Sequence, residues 1–227
     1  MSSPTDKALS GPLKVLVTGF EPFGGESSNP SWEVAALLAA EPPAGLDITA
    51  VELSCVFGKA LTELRAALAS AAPDLVVCLG QAGGRADLTV ERIAINVDDA
   101  RIPDNAGHQP VDEPVVADGP AAYFSSLPIK ACVAAARAAG IPASVSQTAG
   151  TFVCNHVFYG LAHLLATEHP GIRGGFVHVP YTPQQIAAGR SAQPSLSPRD
   201  AATGIAALLT AAARTTHDIH ETGGATH

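Results

Sequence analysis

A cysteine at position 154 follows Gly150-Thr151-Phe152-Val153 and opens an amphipathic stretch running to about Ala166. A Gly-Thr turn ahead of such a stretch places the cysteine in the first turn of a helix. Unpaired N–H groups and the positive end of the helix dipole gather there, so the expectation is a thiol with a lowered pKa, a nucleophile for acyl transfer. Such a nucleophile needs a base. His156, two residues on, lies about 200° around the helix from Cys154, so the two side chains point apart and His156 is read as structural. His178 ends the apolar strand Phe176–Val179, and in open parallel sheets sites gather at the carboxyl ends of strands. The strand over residues 143–147 is expected to deliver Cys154 to that same edge. A third group, Glu91, alternates onto one strand face with Ile93 and Ile95, where a carboxylate must be paired or protonated. It either orients the base or forms an ion pair with Arg85 or Arg101.

Two glycine-rich turns, Gly19-Phe-Glu-Pro-Phe-Gly-Gly25 and Gly80-Gln-Ala-Gly-Gly84, carry neither the Lys-Ser/Thr of a phosphate loop nor a dinucleotide fingerprint. They do carry Phe20, Phe23 and Gln81, with Asn29 nearby. Phenylalanines there can be plugs of the core. Alternatively, two aromatics and two amides at strand ends build a small pocket for a flat, uncharged, hydrogen-bonding group.

The elements that must hold these residues alternate. Strands are expected over 14–18, 47–54, 75–79, 88–97, 143–147 and 176–179. Helices are expected after the Asn29-Pro30 start, over 57–72, 127–139 and 154–166, and from Pro198 to Arg214. The stretch 88–97 alternates and reads as one strand, alone or as part of a hairpin. Residues 98–120, broken by Pro103, Pro110, Pro114 and Pro120, read as a long irregular excursion of the functional kind. The alternation implies one α/β domain with a largely parallel sheet covered on both sides, over 13–215. Residues 1–12 read as a flexible tail and 216–227 as a loose end.

With 227 residues, 47% of them hydrophobic, the chain can bury a sizeable core. A net charge of −8 with no basic run interleaved with aromatics argues against a nucleic-acid partner. The longest apolar runs fall well short of the roughly 18 residues of a membrane span. No export pattern opens the chain, so a cytoplasmic location is expected. The four cysteines, at 55, 78, 132 and 154, have no C-x-x-C or metal-ligand spacing and are expected to be reduced.

The blocks Val15-Leu-Val-Thr-Gly-Phe-Glu-Pro-Phe-Gly-Gly25, Gly80-Gln-Ala-Gly-Gly-Arg85, Glu91-Arg-Ile-Ala-Ile-Asn96, Ala100-Arg-Ile-Pro-Asp-Asn105, Gly150-Thr-Phe-Val-Cys-Asn-His156 and Gly174-Gly-Phe-Val-His-Val-Pro-Tyr181 resemble the pyroglutamyl peptidase I family, in the family's order. The resemblance implies an α/β/α sandwich, a cysteine peptidase acting on pyroglutamyl peptides, a homo-oligomer (typically a tetramer), no metal and no cofactor. It carries the nucleophile to Cys154, the histidine to His178 and the acid to Glu91. It carries the pyroglutamate pocket to Phe20, Phe23, Gln81 and Val153 with Asn29 near it, and further site-lining polar residues to Arg101 and Asp104. Ser54-Cys55 departs from a Pro-Thr pair common in the family, which implies a second thiol close to the site.

Overall fold

Apolar runs without alternation form the middle of the sheet, because a strand covered on both faces has no solvent side. In a computed structural model describing residues 11–189 and 192–224, the strands are β1 (Leu13–Phe20), β2 (Leu46–Leu53), β3 (Leu75–Gln81), β4 (Leu88–Glu91), β5 (Ile93–Ile95), β6 (Ala122–Phe124), β7 (Ala143–Ser146) and β8 (Arg173–Val179). The helices are α1 (Pro30–Ala40), α2 (Lys59–Ala71), α3 (Ile129–Ala138), α4 (Val153–Thr167), α5 (Pro183–Ala187) and α6 (Pro198–Arg214). Six strands form one sheet in the order β2-β1-β3-β8-β4-β7. All neighbours are parallel except β4 and β8.

Period-two alternation sorts the strand residues between two helical layers. Leu75, Val77, Leu79, Val177 and Val179 join the cluster under α1, α3 and α6. Val76, Cys78 and Phe176 join the cluster under α2 and α4. The result is the expected three-layer α/β/α sandwich. His178, two residues beyond Phe176, faces the α4 side.

Four expectations change. The stretch 88–97 is not one strand: β4 stays in the main sheet, the chain leaves it at Arg92, and β5 pairs antiparallel with β6 in a separate two-stranded sheet. Glu91 therefore does not share a face with Ile93 and Ile95. Second, β7 runs opposite to β8, with Ser146 beside Glu91. Its end does not itself reach the carboxyl edge of β8; residues 147–152 carry the chain there. Third, β6 and α5 were not expected, being too short for a periodic signal. Fourth, the segment after α6 makes specific bonds: Asp218 accepts from the N–H groups of Lys130 and Ala131 at the start of α3, and Arg92 donates to the Gly223 carbonyl at 2.8 Å. Residues 1–10 of the expected tail and 225–227 of the end lie outside the described residues.

Candidate active site

Cys154 occupies the second position of α4. Gly150, at φ +77°, makes the turn a side chain would strain, and Phe152 is the N-cap. No side chain caps this end, unlike α1, α5 and α6, whose first turns are bonded by Asn29, Thr182 and Ser197. An uncapped helix start leaves backbone N–H groups for a developing anion. Asn155 pins the helix in place by donating to the carbonyls of Ile95 and Val97 and accepting from the Ile95 N–H.

Gly80 links Cys154 to His178. In the parallel β3–β8 pairing it stands beside His178. A methyl group on it would lie 2.8 Å from Cys154 Sγ and 2.7 Å from the Phe176 ring. The thiol thus occupies the space a side chain at 80 would take. On the other flank of His178, Thr89 of β4 is its antiparallel partner, so Glu91, two residues on, faces the same layer. Glu91 is fully buried, and its Oε1 is 2.7 Å from His178 Nδ1 and 2.6 Å from Arg85 Nη1. One oxygen thus meets both candidate partners, the imidazole and Arg85. Arg85 also donates to Thr89 Oγ1 and to the Thr148 carbonyl, tying β4 to the loop that leads to Cys154.

His178 Nε2 has no hydrogen-bond partner among the described residues, and none joins it to the thiol. Desolvation by burial lowers the His178 pKa, with Glu91 opposing and Arg85 assisting. Burial pushes the Cys154 thiol up, with Cys55, Glu91 and Cys78 adding to it and Arg85 opposing. This overturns the expected lowering at a helix start: the dipole is worth about 1 kcal/mol, whereas desolvation of a buried group moves a pKa by up to about 3–5 units. Cys154 is half-buried, so the desolvation is incomplete, but its direction stands. Both shifts favour the uncharged forms, a thiol and an imidazole.

Beside the thiol lies a small, tight pocket lined by Phe20, Phe23, Asn29, Cys55, Gln81, Phe152, Val153 and Cys154. Five of the seven residues expected to bind substrate are here. Phe23 and Phe152 stand 6.2 Å apart, ring centre to ring centre. Asn29 caps α1 through Oδ1, which also accepts from Ser31 Oγ, while its Nδ2 donates to the Glu21 carbonyl; Ser31 Oγ in turn accepts from the Phe20 N–H. Asn29 is thus a wall residue that fixes Phe20. Cys55 is in the wall, its thiol pushed up to about 12 by burial and by Glu21 and Asp104.

Arg101 and Asp104 are not in this wall. Arg101 is exposed. Asp104 accepts from the N–H groups of Phe57, Ala106 and His108, and although desolvation opposes them these bonds hold its carboxyl below the usual range. It shapes the 98–120 excursion, which Asn105 pins to the pocket rim through bonds to Glu21 and Pro22. Sequence reading missed Phe152 and Gly80, and treated Arg85 only as a competing partner. The signals were present, an aromatic beside the cysteine and a glycine ending a strand, but neither is specific alone. Among the described residues no group of three or more His, Cys, Asp or Glu could hold a metal ion.

A family model described as pyroglutamyl peptidase matches residues 13–215. The pyrrolidone-carboxylate peptidase of Streptomyces coelicolor is 66% identical over 216 residues, covering 94% of this chain and 99% of its own length. That of Yersinia pestis is 55% identical over 214 residues, covering 94% and 99%. Among solved structures, pyroglutamyl peptidase I from Bacillus amyloliquefaciens matches with TM-score 0.90 and 47% identity over 93% of this chain and 100% of that one. The pyrrolidone carboxyl peptidase of Thermococcus litoralis matches at 0.88 and 36%, over 92% and 99%.

Proposed function

The chain belongs to the pyroglutamyl peptidase family, and we propose how its residues divide that family's reaction. It is a cysteine-type exopeptidase that removes the N-terminal pyroglutamyl residue from peptides. Cys154 is the nucleophile, His178 the general base and acid, and Glu91 the group that holds the imidazole. A pyroglutamyl nitrogen is closed into a lactam, so it brings no ammonium and needs no carboxylate to receive it. The apolar wall of Phe20, Phe23, Phe152 and Val153 suits that neutral ring, and Gln81 adds an amide for its polar edge.

Because burial favours the uncharged thiol and imidazole, the thiol proton passes to His178 Nε2 as sulfur attacks the pyroglutamyl carbonyl. The free N–H groups at the start of α4 receive the oxyanion. His178 returns the proton to the leaving amine, and a thioester to Cys154 remains. Water then attacks it, His178 taking a proton from the water and returning it to the sulfur as pyroglutamate leaves. Glu91 keeps the Nδ1–H tautomer through every step. The observation that carries this reading is the juxtaposition across Gly80: a thiol on an uncapped helix start beside a histidine whose Nδ1 is held and whose Nε2 is open.

Turnover of a pyroglutamyl amide, with iodoacetamide inactivation and mapping of the alkylated peptide, tests it. Label on Cys154 tracking lost activity is expected; inactivation tracking label on Cys55 contradicts it. Self-association into a homo-oligomer, a tetramer by the family resemblance, fits the exposed Phe124 and Val111 and is read by light scattering. No helix among the described residues is long and apolar enough to cross a membrane, and four free thiols fit a cytoplasmic location.

A further inference from the structure

We propose that Gln185 is a positioning residue that sets the polarity of the pyroglutamate pocket, forcing Gln81 to present its amide N–H groups, and so selects a ring bearing a carbonyl. The proposal rests on the pyroglutamyl reading of the site. Thr182, four residues beyond His178, is the N-cap of α5 and forms a capping box with Gln185: Gln185 N donates to Thr182 Oγ1 at 3.1 Å, and Thr182 N donates to Gln185 Oε1 at 3.0 Å. A backbone N–H can only donate, so the Gln185 atom facing it must be the amide oxygen. That leaves the Gln185 NH₂ to face Gln81, 2.9 Å from Gln81 Oε1.

An NH₂ likewise only donates, so Gln81 must turn its oxygen to Gln185. Gln81 is in the wall of the cavity, and its nitrogen, which has no protein partner among the described residues, is the atom free to turn to a ring bound there. The direction of each amide therefore follows from one backbone N–H, and the whole relay is anchored to the strand end that delivers His178. Gln185 is 5% exposed, so water does not compete for this role. A donor in an otherwise apolar pocket matches the ring carbonyl of a pyroglutamyl group. A prolyl ring, lacking that carbonyl, would leave the donor unpaired.

The variant Gln185→Glu separates this role from a structural one. Glutamate at the third helical position keeps the capping box, but its carboxylate has no hydrogen to give, so Gln81 must reverse and aim its oxygen at the lactam carbonyl. The expected result is a KM for a pyroglutamyl amide raised roughly 10- to 100-fold, with kcat and Tm close to wild type. Gln185→Met removes the donor without supplying an acceptor, and should raise KM less while lowering Tm. In the Gln81→Met background, Gln185→Glu should add nothing. An unchanged KM in Gln185→Glu, a larger KM rise in Gln185→Met, or additive effects in the double variant would overturn the relay. Failure of the wild-type chain to hydrolyse the amide would instead remove the pyroglutamyl reading itself.

Discussion

Two buried histidine–carboxylate pairs sit on either side of the first turn of α4. His178 Nδ1 lies 2.7 Å from Glu91 and His156 Nδ1 lies 2.7 Å from Asp98, and both rings are almost wholly buried. They differ at the other nitrogen. Nε2 of His156 accepts the Gly58 N–H at 2.9 Å, so both of its nitrogens are spent on joining α4, the start of α2 and the 98–120 excursion. Nε2 of His178 has no such partner among the described residues, and the residue beside His178 in the sheet, Gly80, packs against Cys154 Sγ. The cleft beside His156 is also the larger, yet it is lined by no cysteine. Neither the pair nor the size of the neighbouring cavity sets the proposed catalytic histidine apart; an open second nitrogen on the ring whose strand neighbour packs against Cys154 does.

The largest contrast is expected on removing the rings. His178→Ala should lower kcat/KM by roughly 10²–10⁴-fold without unfolding the chain. His156→Ala should leave the chemistry intact in the folded fraction but strand Asp98 and the Gly58 N–H. That costs about 2–3 kcal/mol, or roughly 4–12 °C in Tm. Equal losses of activity from both variants, with equal Tm, would break the comparison.

The carboxylates give the next step. Glu91→Gln preserves shape but removes the charge that steadies an imidazolium, and kcat should fall by roughly 10²–10⁴-fold. Asp98→Asn should leave kcat unchanged and register in thermal unfolding alone.

The smallest effects are in pH dependence. Burial holds the His178 pKa below the usual value of about 6.5, so the acid limb of kcat/KM should lie below that value. The unfolded chain binds the proton more tightly than the folded one, so this group's contribution to stability is present above about pH 6.5 and is lost as pH falls through the folded pKa. Glu91 raises the His178 pKa and Arg85 lowers it. Glu91→Gln should thus move the acid limb to lower pH and Arg85→Met to higher pH. Shifts of the same sign would contradict the assignment of these charges.

Much of this contrast was legible in the sequence because it follows from helix geometry. The 200° between positions 154 and 156 already separated the two rings, and the apolar run ending in His178 named the other candidate. What the sequence hid were the places where one local signal serves two structures. Alternation on either side of Glu91-Arg92 reads as one strand, but its phase slips at those two consecutive polar residues, where the chain changes sheets. The direction of β7 is a property of its pairing, which four residues do not encode. Glu91 was weighed as orienter or ion-pair partner because a list of residues offers one partner at a time, whereas one carboxylate oxygen meets both His178 and Arg85. The thiol's position was legible and the direction of its pKa shift was not, since burial comes from tertiary packing and Cys55, Glu91, Arg85 and Cys78 reach it from other parts of the chain.

The most direct test of the central claim, that Cys154 is the nucleophile served by His178, is the turnover of a pyroglutamyl amide by Cys154→Ala. This variant should fold with a Tm near wild type, bind the pyroglutamyl group and release no product above the uncatalysed rate. Measurable turnover by the folded variant would contradict the account.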